Sequence, residues 1–277
     1  MTCAWKELLA ILPPWLGAEA DRLGRDDLQE IRLRLGMPAE LVSGGGSRWL
    51  ERKASRDDLN FCINTASRYS PWTAQTISQG FLTAPGGHRI GICGGVVVKD
   101  GAITGIREAR MLCIRVARDF PGIAGKADRL GGSILLLGPP GSGKTTLLRD
   151  LARRISREEN VAVVDERGEL FPIEGCFESG PRMDVLTGGT KAQGIDMVLR
   201  TMGPECVAVD EITAEGDCQA LLRAGWCGVR LLATAHAASM QDLRNRPVYR
   251  SLVQTKLFDH VLILSRDKSW RVERMDL

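Results

Sequence analysis

The sequence lacks any run of apolar residues close to the ~20 that a membrane-spanning helix needs. The apolar stretch near its start, from Met1 to Trp15, is interrupted by Lys6 and Glu7, so it does not have the form of a secretory signal. These absences predict a soluble, cytoplasmic chain with no membrane-spanning segment. Any contact with a membrane is expected to be peripheral and to run through a protein partner.

Paired cysteines are also missing. The eight cysteines are scattered and form no Cys-x-x-Cys pair, which argues against a structural metal site. Cys113 and Cys206 lie in apolar, strand-like runs, as buried thiols do in a reducing compartment. We therefore expect cysteines in such runs to act as small buried hydrophobic side chains.

The chain has neither a strong basic excess nor many aromatic side chains. Its 37 Lys and Arg nearly balance 34 Asp and Glu, and it has only six Phe and two Tyr. Dedicated nucleic-acid binders usually carry a basic surface, and single-strand binders add aromatic stacking platforms. No direct contact with nucleic acid is expected, whereas the 44% hydrophobic content predicts a packed globular core.

Residues 1–118 are predicted to form a small α+β domain. Alternating apolar and basic residues over 31–35 predict a half-buried strand, and Ser55 followed by Asp58 predicts the start of a helix. Three more strands are predicted, over 89–93, 96–99 and 112–117, with a turn at Gly94 and Gly95 between the first two.

The pattern changes after residues 119–132, a glycine-rich stretch that we interpret as a linker. Five short apolar runs then alternate with helical segments, at 134–137, 161–164, 206–209, 231–234 and 261–264. Continuous apolar runs of this length are typical of parallel strands that helices cover on both faces. Residues 133–277 are thus predicted to form an α/β domain.

A phosphate-binding loop follows the first of these runs. Residues 138–145 match the Walker A pattern G-x-x-x-x-G-K-[ST] between a predicted strand and a predicted helix. The glycines let backbone N–H groups turn toward phosphates at the start of the helix. Lys144 is expected to contact the β- and γ-phosphates of ATP, and Thr145 to bind Mg²⁺. The predicted ATP-binding residues are Gly138, Pro139, Pro140, Gly141, Ser142, Gly143, Lys144, Thr145 and Thr146.

Polar side chains end three other predicted strands, and parallel strands present their carboxyl ends at one edge of a sheet. Asp210 is predicted to hold Mg²⁺, and Glu211 to deprotonate the attacking water. Glu166 is a rival for that base, although a charged turn with internal ion pairs is an equal interpretation of its surroundings. His236 is predicted to donate a hydrogen bond to the γ-phosphate and to report hydrolysis. Together these motifs predict a RecA-like P-loop NTPase core.

The order of the motifs resembles that of secretion ATPases of type II, type IV pilus and type IV systems. Six segments in the two predicted domains carry a more specific resemblance, at 30–34, 86–91, 114–118, 138–152, 182–186 and 191–194. In these segments the chain resembles the stage III sporulation protein AA family. Departures from the family pattern include Glu205, where Asp is usual, and the pair Trp226 and Cys227.

This resemblance implies a cytoplasmic homo-hexamer that hydrolyses ATP to energise or assemble a channel between mother cell and forespore. Its implied partners are membrane-embedded channel components on the cytoplasmic face. It also implies that an arginine of the N-terminal domain reaches the γ-phosphate. Arg115 is our preferred candidate, with Arg107, Arg110 and Arg118 as alternatives.

Two other functions use the same motifs. One is a scaffold that binds ATP but turns over little, against which the intact Glu211 argues. The other is a nucleic-acid motor, which the near-neutral charge of the chain disfavours.

Overall fold

The computed structural model describes residues 1–68, 80–125, 127–172 and 175–275. The chain divides into two compact units, which we call the N-terminal and C-terminal units. The N-terminal unit contains Met1–Asp119 together with the short segment Pro172–Phe177, and the C-terminal unit contains Phe120–Phe171 and Glu178–Leu277.

The N-terminal unit is an antiparallel sheet with helices packed on it. In its described residues the strand order is β3-β2-β1-β6-β5-β4. Alternate side chains of β1, such as Ile31 and Leu33, are buried with Leu8 and Leu59 from the helices, as a sheet with one covered face requires. The elements are α1 (Trp5–Ala10), α2 (Pro14–Leu23), β1 (Leu28–Arg34), β2 (Pro38–Ser43), β3 (Gly46–Lys53), α3 (Arg56–Ser67), β4 (Phe81–Thr83), β5 (Arg89–Lys99) and β6 (Ala102–Arg115).

Helix α3 begins where the sequence predicts. The Ser55 hydroxyl accepts a hydrogen bond from the Asp58 N–H at 3.1 Å, and the Asp58 carboxylate accepts one from the Ser55 N–H at 2.8 Å. This capping box satisfies two backbone donors at the helix start.

The predicted turn at Gly94 and Gly95 is wrong. Both residues lie inside β5, which runs unbroken to Lys99 and pairs with the whole of β6. Gly94 sits at a bulge where a Cβ atom would lie 1.8 Å from the Glu108 carbonyl oxygen, so this glycine permits close strand contact. The actual turn is at Asp100 and Gly101, whose φ angles are 52° and 77°, as a tight hairpin turn requires.

The C-terminal unit is a mainly parallel sheet with helices between its strands. In the described residues the strand order is β13-β12-β7-β11-β10-β8-β9, and only β13 runs antiparallel to its neighbour. The elements are a 3₁₀ turn (Ala127–Arg129), β7 (Ile134–Leu137), α4 (Lys144–Ile155), β8 (Val161–Asp165), β9 (Met183–Thr187), α5 (Lys191–Thr201), β10 (Cys206–Val209), α6 (Glu215–Trp226), β11 (Arg230–Ala235), α7 (Met240–Asn245), a 3₁₀ turn (Pro247–Tyr249), α8 (Arg250–Gln254), β12 (His260–Leu264) and β13 (Trp270–Arg274).

All five strands predicted for this half of the chain are present, which confirms the α/β fold class. Every residue of β7 and β10 is buried, as continuous apolar runs in a covered parallel sheet should be. Helix α4 packs against β7, β8 and β11, and its residues Leu147, Leu148 and Leu151 are buried. The parallel strands bring their carboxyl ends, and the loops that follow them, to one edge of the sheet.

None of the helices in the described ranges has both the length and the apolar character that a membrane crossing demands.

Candidate functional site

The loop between β7 and α4 has the backbone that its sequence predicts. Gly138, Gly141 and Gly143 adopt φ angles of 155°, 74° and 97°, a region that favours glycine over other residues. A Cβ atom on Gly138 would lie 2.7 Å from both the Leu264 carbonyl and the Ser142 hydroxyl. The loop therefore leads the chain directly from a buried strand into the start of α4.

Lys144 is the first residue of α4 and its side chain turns back into the loop. Its ammonium donates hydrogen bonds to the carbonyl oxygens of Gly138 at 2.8 Å and Pro139 at 3.1 Å. Burial lowers the pKa of this ammonium, while Asp210 and Glu211 act in the opposite direction. The loop thus holds a largely buried cation close to two carboxylates.

The Ser142 hydroxyl supports an anion-binding role for this loop. Its oxygen is buried, and among the described residues it has no hydrogen-bond partner. A buried polar atom without a partner costs free energy unless a ligand or water satisfies it. The hydroxyl, the lysine and the amino end of α4 therefore fit a phosphate group.

Asp210 joins three elements. One of its carboxylate oxygens accepts the Thr145 hydroxyl at 2.7 Å, and the other accepts the Thr234 hydroxyl at 2.6 Å. Thr145 lies in the first turn of α4, Thr234 lies near the end of β11, and Asp210 follows β10. The two predicted metal ligands, Thr145 and Asp210, are therefore in direct contact.

Glu211 has an uncommon backbone conformation, with φ at 53°. Non-glycine residues seldom adopt this region, and they cluster at functional sites when they do. The Glu211 N–H donates to the Thr234 hydroxyl at 2.8 Å, which holds the strained backbone in place. The carboxylate lies 3.1 Å from His236 Nε2 and 3.5 Å from the Arg167 guanidinium.

His236 lies between the lysine of the loop and the carboxylate of Glu211. Its Nδ1 is 3.3 Å from the Lys144 ammonium. Because an ammonium can only donate, Nδ1 accepts and Nε2 carries the proton that points to Glu211. The imidazole thus connects the two groups at the carboxyl edge of the sheet.

Glu166 is engaged elsewhere. Its carboxylate forms a close ion pair with the buried ammonium of Lys191, which also lies 4.0 Å from the Asp217 carboxylate. The preceding residue, Asp165, accepts N–H groups from 169–171, and burial raises its pKa to about 6. Among the described residues, the charged side chains of Glu166 and Arg167 thus pair outside the turn, Glu166 with Lys191 and Arg167 with Glu211, and not with one another.

Arg115 lies in the N-terminal unit at the end of β6. Its side chain is exposed and sits 3.6 Å from the Glu30 carboxylate. Arg118, one of the alternatives, donates instead to the backbone carbonyls of Asp26 and Leu28. The contact between Arg115 and a γ-phosphate stays a prediction.

Sequence reasoning missed three polar residues of the site: Thr234, Lys191 and Asp217. Thr234 could have been found, since it ends a predicted strand, as the acidic residues of the site do. Lys191 begins α5 and Asp217 lies in the first turn of α6, and neither carries a sequence signal of burial.

A family model and a related protein sequence identify the same family. The model of the family described as "Sporulation stage III, protein AA" matches residues 16–273. Stage III sporulation protein AA of Bacillus subtilis (strain 168) is 36% identical over 260 residues, which cover 87% of this chain and 84% of that protein.

The solved structures that are similar to this one include two motor or ATPase proteins. The pilus retraction motor PilT with bound ADP is 18% identical with a TM-score of 0.59, covering 90% of this chain and 76% of that chain. The ATPase DotB of Legionella pneumophila is 18% identical with a TM-score of 0.56, covering 93% and 77%. At this identity they establish the fold alone, an α/β fold with a RecA-like core. With its family model matched almost from end to end and a relative alike across most of both sequences, the chain belongs to the sporulation stage III, protein AA family.

Proposed function

We propose that this chain binds ATP with Mg²⁺ and hydrolyses it, and that it does so as a secretion-type ATPase. Two sets of contacts at one edge of the sheet carry the proposal. Thr145 is hydrogen-bonded to Asp210, and His236 contacts both Lys144 and Glu211. These residues come from separate parts of the sequence, so their convergence is a property of the fold. The similarity to PilT and DotB supports the same function.

Residues 138–146 would hold the phosphates of ATP through backbone N–H groups, the Ser142 hydroxyl and the Lys144 ammonium. Thr145 and Asp210 would hold Mg²⁺, since a hydroxyl and a carboxylate are the oxygen ligands that this ion prefers. The bound ion would supply charge neutralisation at the phosphate oxygens. The contact between Thr145 and Asp210 means that both ligands already face the same point.

Glu211 is our choice of general base. Its carboxylate contacts His236, and His236 in turn contacts Lys144 of the phosphate-binding loop. Glu166 is tied to the buried ammonium of Lys191, so its carboxylate is already engaged in an ion pair within the protein. His236 would keep the Glu211 side chain oriented and would respond when Lys144 turns to a phosphate.

At the level of the whole protein we propose residues 1–118 as an N-terminal domain, 119–132 as a linker and 133–277 as the ATPase domain. We further propose a homo-hexamer in the cytoplasm that serves a channel between mother cell and forespore. Membrane-embedded channel components would be its partners, and Arg115 would reach the γ-phosphate. The family membership supports this setting.

The direct test is phosphate release and ATP binding by the purified protein. Lys144→Ala should weaken ATP binding measured by calorimetry, because the cation that faces the phosphates is lost. Lys99→Ala, at the exposed tip of the β5–β6 hairpin, is the control and should bind normally. Unchanged affinity in Lys144→Ala would contradict the assignment, and tight binding without turnover in the unmodified protein would favour the scaffold.

A further inference from the structure

Lys191 is a buried lysine beside the proposed catalytic residues. It is the first residue of α5, only 5% exposed, and it lines the same recess as Glu166, Asp210 and Glu211. Lysine is seldom buried unless its charge is paired. The burial of Lys191 next to the proposed active site therefore depends on the groups that pair with its charge.

The Lys191 ammonium joins two carboxylates from different elements. Glu166 belongs to the turn after β8 and forms the closer pair, and Asp217 lies in the first turn of α6 at 4.0 Å. The side chains of Lys191 and Asp217 are only 6% and 9% exposed. Solvent therefore screens this pair less than a surface pair, and removing one member leaves a buried charge unpaired.

Asp217 carries the connection onward to the loop that bears Glu211. Its carboxylate accepts the N–H groups of Thr213 at 3.0 Å and Ala214 at 3.1 Å. These residues lie two and three positions after Glu211. The contacts thus run in one series from Glu166 through Lys191 and Asp217 to the backbone beside the proposed base.

We propose that Lys191 is a positioning residue for ATP hydrolysis, an inference that rests on the proposed function. It keeps Glu166 ion-paired, and through Asp217 it fixes the loop that aims Glu211. Because its ammonium contacts carboxylates of the protein, its loss should impair turnover more than nucleotide binding. Misplacing a reacting group by about 1 Å can cost on the order of 10²-fold in rate.

Lys191→Met tests the inference, with Arg223→Met as its matched control. Arg223 pairs with Asp196 at 2.9 Å and so also joins α5 to α6, but on their exposed side. Lys191→Met should lower kcat roughly 10- to 100-fold while KM and the ATP dissociation constant change by less than about threefold. Arg223→Met should stay within about twofold of the unmodified protein, because exposed pairs contribute little.

A second measurement does not depend on hydrolysis. In nucleotide-free protein, amide hydrogen exchange of the segment 211–217 should be faster in Lys191→Met than in Arg223→Met, since the Asp217 carboxylate loses its partner. Combining Lys191→Met with Glu166→Gln should cost little more in kcat than Lys191→Met alone, because both changes break one pair.

Three results would overturn the inference: normal kcat in Lys191→Met, an equal loss in Arg223→Met, or unchanged exchange over 211–217. If the unmodified protein neither binds nor hydrolyses ATP, the proposed function fails. The exchange comparison then still decides whether Lys191 restrains the loop after Glu211.

Discussion

At the residue scale, the site contains two glutamates whose surroundings differ. Both side chains stay about one-third exposed, but Glu211 contacts His236 and Arg167, whereas Glu166 is bound to a buried lysine. His236 connects the Glu211 carboxylate to Lys144 of the phosphate-binding loop, whereas the partner of Glu166 is Lys191 of α5. The same residue type at two neighbouring strand ends is therefore expected to have two roles.

Glu211→Gln should retain ATP binding and lose turnover by roughly 10²-fold or more, since an amide cannot take a proton from water. Phosphate release at saturating ATP and binding by calorimetry measure the two effects separately. Glu166→Gln is the comparison and should keep more of the activity. If Glu211→Gln hydrolyses normally while Glu166→Gln is inactive, the two roles must be exchanged.

His88 gives a prediction about pH. It is fully buried in the N-terminal unit, where Nε2–H donates to the Ala4 carbonyl at 2.8 Å and Nδ1 accepts the Ala117 N–H at 3.1 Å. Burial lowers the pKa of His88, so the unfolded chain binds the proton more readily than the folded one. Stability from this residue is present above the ordinary pKa of about 6.5 and is lost as the pH falls below it.

Urea unfolding near neutral pH and about one unit below pH 6.5 checks this expectation. When the pH is lowered over this range, the free energy of unfolding should decrease more steeply in the unmodified protein than in His88→Asn. His236 and His260 remain in both proteins, so the difference between the two slopes isolates His88. Identical slopes would show that the buried imidazole does not control this dependence.

At the element scale, the β5–β6 hairpin depends on one glycine. Gly94→Ala would drive a Cβ atom into the Glu108 carbonyl, whereas Ala at Gly105 meets nothing within 4 Å. Neither glycine has a positive φ, so the comparison isolates the steric effect. We expect Gly94→Ala to destabilise by about 1–3 kcal/mol and Gly105→Ala by far less. Equal effects in urea unfolding would contradict the role of the close strand contact.

The same hairpin shows what the sequence could and could not predict. Adjacent glycines usually indicate a turn. Here Gly94 lies at a bulge, where the partner strand β6 leaves no room for a side chain. The Asp100–Gly101 pair was the true turn signal. The local sequence therefore does not distinguish a glycine in a turn from a glycine in a bulge, because the difference depends on a strand that is distant in sequence.

Strand prediction in the C-terminal unit succeeded where burial is complete. Strands β7 and β10 have exactly the predicted bounds and no exposed residue. Strands β9 and β13 were not predicted, and all of their residues are partly or fully exposed. Edge strands lack the continuous apolar run, since only one face and one edge are covered. Likewise, the sequence revealed the strand-end residues of the site but not Lys191, whose burial depends on packing.

At the scale of the whole molecule, the chain crosses between its units more than once. Pro172–Phe177 belongs to the N-terminal unit, although the residues before and after it belong to the C-terminal unit. Gly86 and Gly175 form a β-bridge within the N-terminal unit. A boundary drawn along the sequence alone cannot anticipate such a return of the chain.

The proposed ring gives the last prediction. If ATP binds the assembled state more tightly than single chains, then ATP must favour assembly by the same factor. Glu211→Gln should keep ATP bound, so with Mg-ATP it should give the largest fraction of six-membered rings in electron microscopy. Lys144→Ala should give the smallest, because it binds ATP weakly. Single chains in every protein and condition would refute the hexamer and favour the scaffold. Rings of equal abundance in both variants would show that assembly does not depend on nucleotide binding.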